Sequence, residues 1–192
     1  MSSSKYLQPE NKENTVLCAL PHGGGYHEDF MRIIIDYIQQ GKYIFVSFCH
    51  NKEEMEFCLT TIKLKEVYPH IKLIFVTNSP CPESKIQFNR AIKFAFEHQE
   101  CFDEMLNLKE YWKNDELFYL YLFRCASVLV GAYSQYEMCV KQFCKIARSA
   151  GIEIRNLYQE QTVDMNTILA VTHEIFDGLP VSTIRLVLYH KS

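Results

Sequence analysis

The amino-acid sequence predicts an α/β fold built on a doubly wound, mostly parallel sheet with helices on both faces. The main observation is the stretch 42–77, where two apolar runs rich in β-branched and aromatic residues, 43–48 and 71–77, flank a segment with helical spacing. Two buried strands joined by an amphipathic helix form a right-handed βαβ crossover. Strand-like and helix-like segments continue to alternate on both sides of this unit, as they do in a parallel sheet.

The first strand is predicted at 15–20, an apolar run that ends at the glycine-rich loop Pro-His-Gly-Gly-Gly, residues 21–25. A helix follows at about 27–40, because its apolar residues recur on one stripe. Gly41 is a typical residue to end this helix, since glycine readily adopts the left-handed conformation that follows a last helical turn. The glycine-rich loop therefore connects a strand to the start of a helix.

Within the βαβ unit, Asn51 and Glu54 have the spacing of a capping box at the start of the helix. A turn-rich loop at 78–83 leads to the next helix, and 101–108 is either a short strand or an irregular connection. The buried face of the helix between them is predicted to contain Phe88, Ala91, Ile92 and Ala95.

The second half of the chain continues the alternation. Residues 111–125 are predicted to form a helix buried on more than one side, because aromatic residues occur all round it. An apolar strand at 127–133 is followed by Ser134 and Glu137, a second capping box that opens another helix. A strand at 153–157 is predicted at the edge of the sheet.

The chain of 192 residues is long enough for one domain with an appendage. Residues 1–14 are polar and are predicted to be a disordered lead-in. The α/β domain is predicted to span 15–158. Residues 159–192 are predicted to be a helix–strand extension packed on the same domain, whose alternating strand at 182–190 pairs either within the chain or with a partner.

The composition argues against several classes of protein. Apolar residues make up 48% of the chain, and 20 basic against 23 acidic residues give a net charge of -3. This balance gives no reason to expect binding to nucleic acid or to a membrane surface. No apolar run is long enough to span a bilayer, and the N-terminus lacks the apolar region of a signal peptide. With eight cysteines but no Cys-x-x-Cys pair, the sequence predicts a cytoplasmic protein with reduced thiols.

In a doubly wound sheet, ligands bind beyond the carboxyl ends of the strands. Backbone N–H groups of the glycines in loop 21–25, at the start of a helix, are suited to hold a phosphate. The alternative is that these glycines only form a tight turn. The candidate residues for binding a nucleotide or phosphate ligand are His22, Gly23, Gly24, Gly25, Ser47, His50, Asn78, Ser79, Tyr133 and Ser134.

Two further kinds of site are weaker alternatives. His22, His27, Glu28, Cys49 and His50 carry donor atoms that suit zinc or iron, but their spacing matches no known ligand pattern, so no metal or cofactor is predicted. Cys49, between a strand end and a helix start, would be a nucleophile if its pKa were lowered there. A buried structural thiol is the preferred interpretation, and no catalytic residue is predicted.

The segment Ile-Lys-Leu-Lys-Glu-Val-Tyr-Pro-His-Ile-Lys-Leu-Ile-Phe-Val at 62–76 closely resembles a stretch usual in the YpsA-like branch of the SLOG superfamily. The resemblance extends over 15–157 and includes Cys-Ala-Leu-Pro-His-Gly-Gly-Gly at 18–25 and the strand and turn at 127–137. It implies a Rossmann-like fold and a nucleotide or nucleotide-derived ligand.

The sequence departs from this family at two loops. The family has a glycine-rich loop after its second strand, where this chain reads Ser-Phe-Cys-His-Asn-Lys-Glu-Glu-Met at 47–55. The Gly-Gly-Thr turn after the fifth strand is replaced by Ser-Gln-Tyr-Glu at 134–137. The Pro-Gly-Gly-x-Gly-Thr-x-x-Glu signature of the related LOG phosphoribohydrolases is absent.

These observations leave three functional hypotheses. The first is a non-catalytic module that binds a nucleotide or phosphate ligand as a sensor or regulatory subunit. The second is a scaffold whose pocket is filled by its own side chains and which acts through protein partners. Independently of these hypotheses, helix 111–125 or the C-terminal strand could form a homo-oligomer. The third is a hydrolase of N-glycosidic or phosphoester bonds, with Glu28, Glu53 or Glu137 as its carboxylate.

Overall fold

The structure is a computed structural model, and its described residues all lie within the compact unit Met1–Gln159. The described ranges are 4–20, 30–78, 89–111, 113–131 and 138–157. The predicted helix–strand extension at 159–192 lies outside them. So do the glycine-rich loop at 21–25 and the turn at 134–137.

Six strands form one sheet in the order β4-β3-β2-β1-β5-β6, and every pairing between neighbours is parallel. The prediction of a doubly wound sheet is confirmed, with β6 at an edge as expected. Segment 101–108, which was ambiguous in the sequence, contributes the strand at the other edge. The strands are β1 Thr15–Cys18, β2 Ile44–Ser47, β3 Lys72–Thr77, β4 Glu104–Asn107, β5 Val128–Gly131 and β6 Glu153–Asn156.

Helices cover both faces of the sheet. Because side chains alternate along a strand, Val16 and Cys18 of β1 join one core cluster and Leu17 joins the other. The first cluster is covered by α1, α2 and α3, and the second by α4 and α5. The helices are α1 Phe30–Gln39, α2 Lys52–Val67, α3 Arg90–Glu97, α4 Asp115–Cys125 and α5 Met138–Ser149. Among these described helices, none combines the length and apolarity needed to cross a bilayer.

Local signals explain where several helices begin and end. The Asn51 side chain accepts the Glu54 N–H at 2.9 Å, as the capping box predicts. Gly41 has a φ of 84°, so it takes the left-handed conformation that ends α1. Helix α4 begins at Asp115, later than predicted, because the Asn114 side chain caps it by accepting the Leu117 N–H at 3.0 Å.

The N-terminal segment differs from the prediction of a disordered lead-in. Residues 4–14 are ordered and end in a short 3₁₀ helix, Pro9–Asn14. Leu7 is only 1% exposed and belongs to the core cluster beneath α4, where the Tyr121 hydroxyl donates to the Leu7 carbonyl at 3.2 Å. The burial of Leu7 therefore combines with hydrogen bonds from Lys5 to the Glu104 carboxylate and from Lys12 to the Ala150 carbonyl to hold this mostly polar segment in place.

Asp103, just before β4, connects three elements near the amino ends of β3 and β4. Its carboxylate accepts from the Lys65 ammonium of α2 at 2.7 Å and from the Leu73 N–H of β3 at 2.9 Å, with the Lys72 ammonium at 3.2 Å. Burial alone would raise the pKa of Asp103, but these hydrogen bonds outweigh it and the pKa is lowered from 3.8.

Replacing Asp103 by Asn should therefore reduce the free energy of unfolding by about 1–2 kcal/mol at pH 7, since a charge-assisted hydrogen bond is lost. A folded-state pKa below the unfolded value contributes stability above about pH 4, which is lost as the pH falls further. Urea denaturation at pH 7 and pH 3 measures both effects. Asp36→Asn is the control, because Asp36 is 41% exposed and lies 3.8 Å from Arg155 in a surface pair that contributes little. Equal losses in the two variants would contradict the prediction.

Candidate functional site

The strand order places the topological switch point between β1 and β5. From β1 the chain proceeds to β2 on one side, whereas β5 is followed by β6 on the other. The Ala19 N–H donates to the Val130 carbonyl at 3.0 Å, so the two strands stay paired to their carboxyl ends. In the sequence, Leu20 is followed directly by the glycine-rich segment 21–25, and Gly131 by residues 132–137. Such a switch point is where doubly wound proteins hold their ligands.

Part of the predicted ligand site is described by the structure. Ser47, His50 and Asn78 lie at the carboxyl ends of β2 and β3. The remaining candidates, His22, Gly23, Gly24, Gly25, Ser79, Tyr133 and Ser134, lie outside the described residues.

Ser47 and Asn78 already make contacts within the protein. Ser47 is fully buried, and its hydroxyl oxygen accepts the Cys49 N–H at 3.4 Å. The Asn78 amide donates to the Asp115 carboxylate at 3.2 Å, which connects the end of β3 to the start of α4. His50 differs from Ser47 because its side chain is 55% exposed.

Glu54 is a central residue at the carboxyl ends of the strands. The sequence predicted only its part in the helix cap. Its side chain is 2% exposed, and its two oxygens accept the Leu20 N–H at 2.8 Å and the His50 N–H at 2.7 Å. The Asn51 amide donates to the Leu20 carbonyl. In a standard capping box the glutamate would accept the N–H of the cap residue, Asn51. Here Glu54 accepts the N–H of the preceding residue, His50, and thereby connects the ends of β1 and β2.

The environment of Glu54 shifts its titration toward neutral pH. Burial raises the pKa of Glu54 from 4.5 to about 7, although the N–H groups of Leu20 and His50 act in the opposite direction. The carboxyl is therefore partly protonated near pH 7. Because it is buried and both oxygens accept backbone N–H groups, its role in this arrangement is to hold the two strand ends together.

Three buried cysteines, Cys18, Cys49 and Cys58, surround this carboxylate. The Cys49 and Cys58 sulfurs are 3.3 Å apart, and their hydrogen bond together with burial raises the pKa of Cys49. Burial and the charge of Glu54 raise the pKa of Cys18. Cys49 is fully buried, which agrees with the interpretation as a buried structural thiol and does not favour that of a nucleophile. Free thiols are found at Cys18, Cys49, Cys58, Cys101, Cys125 and Cys144.

His50 stacks on an aromatic cluster at the end of β2. Its ring lies parallel to that of Phe48, with an angle of 4° and centroids 5.4 Å apart. Phe48 is 2% exposed and contacts Phe118 and Tyr119 of α4, at centroid distances of 5.8 Å and 6.2 Å. Although the side chain is 55% exposed, its partial removal from water lowers the pKa of His50 from 6.5, so the imidazole is mostly neutral at pH 7. The place where the resembling family has glycines thus holds a stacked pair of rings.

The hypothesis of a metal site gains no support from the part of the chain that the structure describes. Within those residues, no group of three histidine, cysteine, aspartate or glutamate side chains is arranged to hold a metal ion. His22, His27 and Glu28, which belonged to that hypothesis, lie outside the described ranges.

Comparisons of the chain with protein-family models and with curated proteins find no match. Membership of the SLOG superfamily therefore stays a prediction, which depends on the sequence resemblance over 15–157.

Proposed function

We propose that this protein is a non-catalytic module of the SLOG type that binds a nucleotide or another phosphate-bearing ligand at the β1–β5 switch point, and acts as a sensor or regulatory subunit in the cytoplasm. The observation that carries the proposal is the position of the glycine-rich loop 21–25. It directly follows Leu20, at the carboxyl end of the central strand that forms one side of the switch point.

The chemistry of such a loop supports a phosphate as the recognised group. Glycines leave the backbone N–H groups accessible, and the partial positive charge of a helix N-terminus favours an anion. The perturbed carboxylate at this edge, Glu54, supports binding rather than catalysis. It is buried, and both of its oxygens accept hydrogen bonds from the protein's own backbone.

The direct test is thermal unfolding in the presence of AMP, ADP-ribose, NAD or cyclic dinucleotides. A ligand at about 100 times its dissociation constant stabilises the folded state by about 2.7 kcal/mol, which raises Tm by several degrees. A shift with one compound supports the binding module, and product analysis of the same mixture separates a sensor from a hydrolase. If no compound shifts Tm, the proposal fails.

Gly24→Val should weaken the binding of AMP at least tenfold, because a β-branched side chain restricts the loop and blocks close approach of a phosphate to the backbone. Isothermal titration calorimetry measures the affinity, and circular dichroism checks the fold. Gly41→Asn is the matched control, since Asn tolerates the left-handed conformation and nothing lies within 4 Å of the added Cβ. Unchanged AMP affinity in Gly24→Val would reject loop 21–25 as the phosphate cradle.

A second candidate function, a scaffold acting through protein partners, is favoured by one observation. The Phe48–His50 pair and its contacts to α4 occupy the position of the glycine-rich loop in the resembling family. On α4 itself, Phe118 and Phe123 are buried, whereas Leu117 is 49% exposed and is available to a partner or a second copy. Absence of any ligand-induced Tm shift, together with a dimer in sedimentation analysis, would favour this function.

A further inference from the structure

We propose that the exposed ring of His50, supported from behind by Phe48, is a stacking platform for the base of a nucleotide. The inference rests on the proposed function and narrows its ligand class. The protein would then recognise a phosphate that carries a purine or pyrimidine base, in preference to inorganic phosphate or a sugar phosphate.

The geometry of the rings is the first argument. The rings of Phe48 and His50 form an offset parallel stack with centroids 5.4 Å apart, so Phe48 covers part of one side of the His50 ring. The His50 side chain is nevertheless 55% exposed, so it remains accessible to a flat ligand from the solvent side. Phe48 is held in this position, because it is buried and packs against Phe118 and Tyr119.

The backbone of His50 is also held in place. Its N–H donates to one oxygen of Glu54 at 2.7 Å, and the other oxygen of Glu54 accepts the Leu20 N–H at 2.8 Å. The ring is therefore fixed both by its neighbours and through its main chain. A side chain that is ordered before the ligand arrives loses little conformational entropy on binding, which is typical of a built recognition site.

The position relative to the proposed phosphate loop is the third argument. Strands β1 and β2 are direct neighbours, with Cys18 paired to Ser47. Their carboxyl ends are about 4.8 Å apart, the ordinary spacing between strands. A mononucleotide is long enough to place its phosphate beyond β1 and its base beyond β2. The hydrogen bonds from Leu20 and His50 to Glu54 fix the distance between these two strand ends.

The chemistry of the ring suits a base. A neutral imidazole offers a π-face without the charge of a protonated ring, and bases stack on aromatic side chains whatever their identity. A single platform of this kind is expected to contribute about tenfold in affinity, at the low end of the range for base–aromatic stacking.

The test compares AMP, GMP, CMP and UMP with ribose 5-phosphate, which has the same sugar and phosphate but no base. The wild-type protein should bind at least one nucleotide about tenfold more tightly than ribose 5-phosphate in calorimetry at pH 7.5. His50→Ala should remove that difference by weakening the nucleotide alone, and His50→Phe should restore it. His70→Ala is the control, because His70 precedes β3 at the opposite edge of the sheet, beside Tyr68.

The outcomes separate the two proposals. If the nucleotides and ribose 5-phosphate bind equally, or if His50→Ala leaves nucleotide affinity unchanged, the platform is rejected while the phosphate-binding function stands. If neither kind of probe binds to the folded protein, the platform is rejected, and the proposed function falls with it if ADP-ribose, NAD and cyclic dinucleotides also leave Tm unchanged. Weaker binding of every probe to His50→Ala would indicate a general disturbance of the site and would also overturn the platform.

Discussion

Replacing Glu54 by Ala is expected to lower the free energy of unfolding by about 3–5 kcal/mol. The side chain is 2% exposed, and its removal leaves the N–H groups of Leu20 and His50 without their acceptor. Each buried donor left unpaired costs about 1–3 kcal/mol, and the space vacated by the side chain adds to the loss. Urea denaturation at pH 7, followed by circular dichroism, measures the change.

Two neighbouring substitutions make this prediction specific. Glu53→Ala removes the adjacent carboxylate in the same helical turn, which is half-buried, and should change the stability by about 0.5 kcal/mol, well below the loss at the buried Glu54. Glu54→Gln keeps the shape but directs an amide NH₂ toward one of the two backbone donors, so its loss should be intermediate. If Glu54→Ala and Glu53→Ala cost the same, Glu54 does not connect the strand ends as described.

The second large effect is a decline in stability as the pH rises through neutrality. Because the pKa of Glu54 is about 7 in the folded protein and 4.5 as its ordinary value, the folded state binds more protons between these pH values. Its contribution is fully present below about pH 4.5 and is lost as the pH rises through about 7. The corresponding change in the free energy of unfolding is about 3 kcal/mol.

The measurement is a series of urea denaturations from pH 5 to pH 8.5 on the wild type and on Glu54→Gln. The groups around Glu54 include Cys18 and Cys49. Burial raises the pKa of Cys18, and a hydrogen bond to Cys58 together with burial raises that of Cys49, so both thiols remain neutral in this range. His50 titrates nearby with a lowered pKa, so its own contribution increases with pH up to about 6.5.

Subtracting the Glu54→Gln series isolates the contribution of Glu54 together with its interaction with the His50 imidazole, whose Nδ1 lies 4.0 Å from a Glu54 oxygen. A difference between the two proteins that stays constant from pH 5 to pH 8.5 would contradict the shift in its pKa. The effect of Asp103 lies in a separate window below about pH 4 and has the opposite sign, since the pKa of that carboxyl is lowered.

Features that depend on neighbouring residues in the chain could be predicted from the sequence. The cap at Asn51 and the left-handed Gly41 follow from short-range preferences for particular dihedral angles and hydrogen bonds. The apolar runs predicted the buried strands, because they consist of neighbouring residues that are rich in β-branched and aromatic side chains. The burial of Leu7 could not be predicted in this way, because it depends on a fit to α4, more than a hundred residues later.

The candidate site shows the same limit. Polar residues near strand ends were predicted to bind a ligand. The Ser47 hydroxyl, however, accepts a hydrogen bond from the Cys49 N–H, two residues later in the same turn. The contact between Glu54 and Leu20 joins residues that are far apart in sequence, and no local pattern encodes it. The sequence therefore indicated the edge of the sheet where the site lies, but could not indicate which side chains are used for holding that edge together.

The central place of β1 also has a consequence for the order in which the protein folds during synthesis. Strands β1 to β4 can pair with one another in the sequence in which they leave the ribosome, since their order in the sheet follows the chain. The other edge of β1 stays unpaired until β5 has been synthesised, because Val16 pairs with Val128. A nascent chain that stops before Val128 exposes an apolar, unpaired strand edge, and such an edge is prone to aggregation and to capture by chaperones.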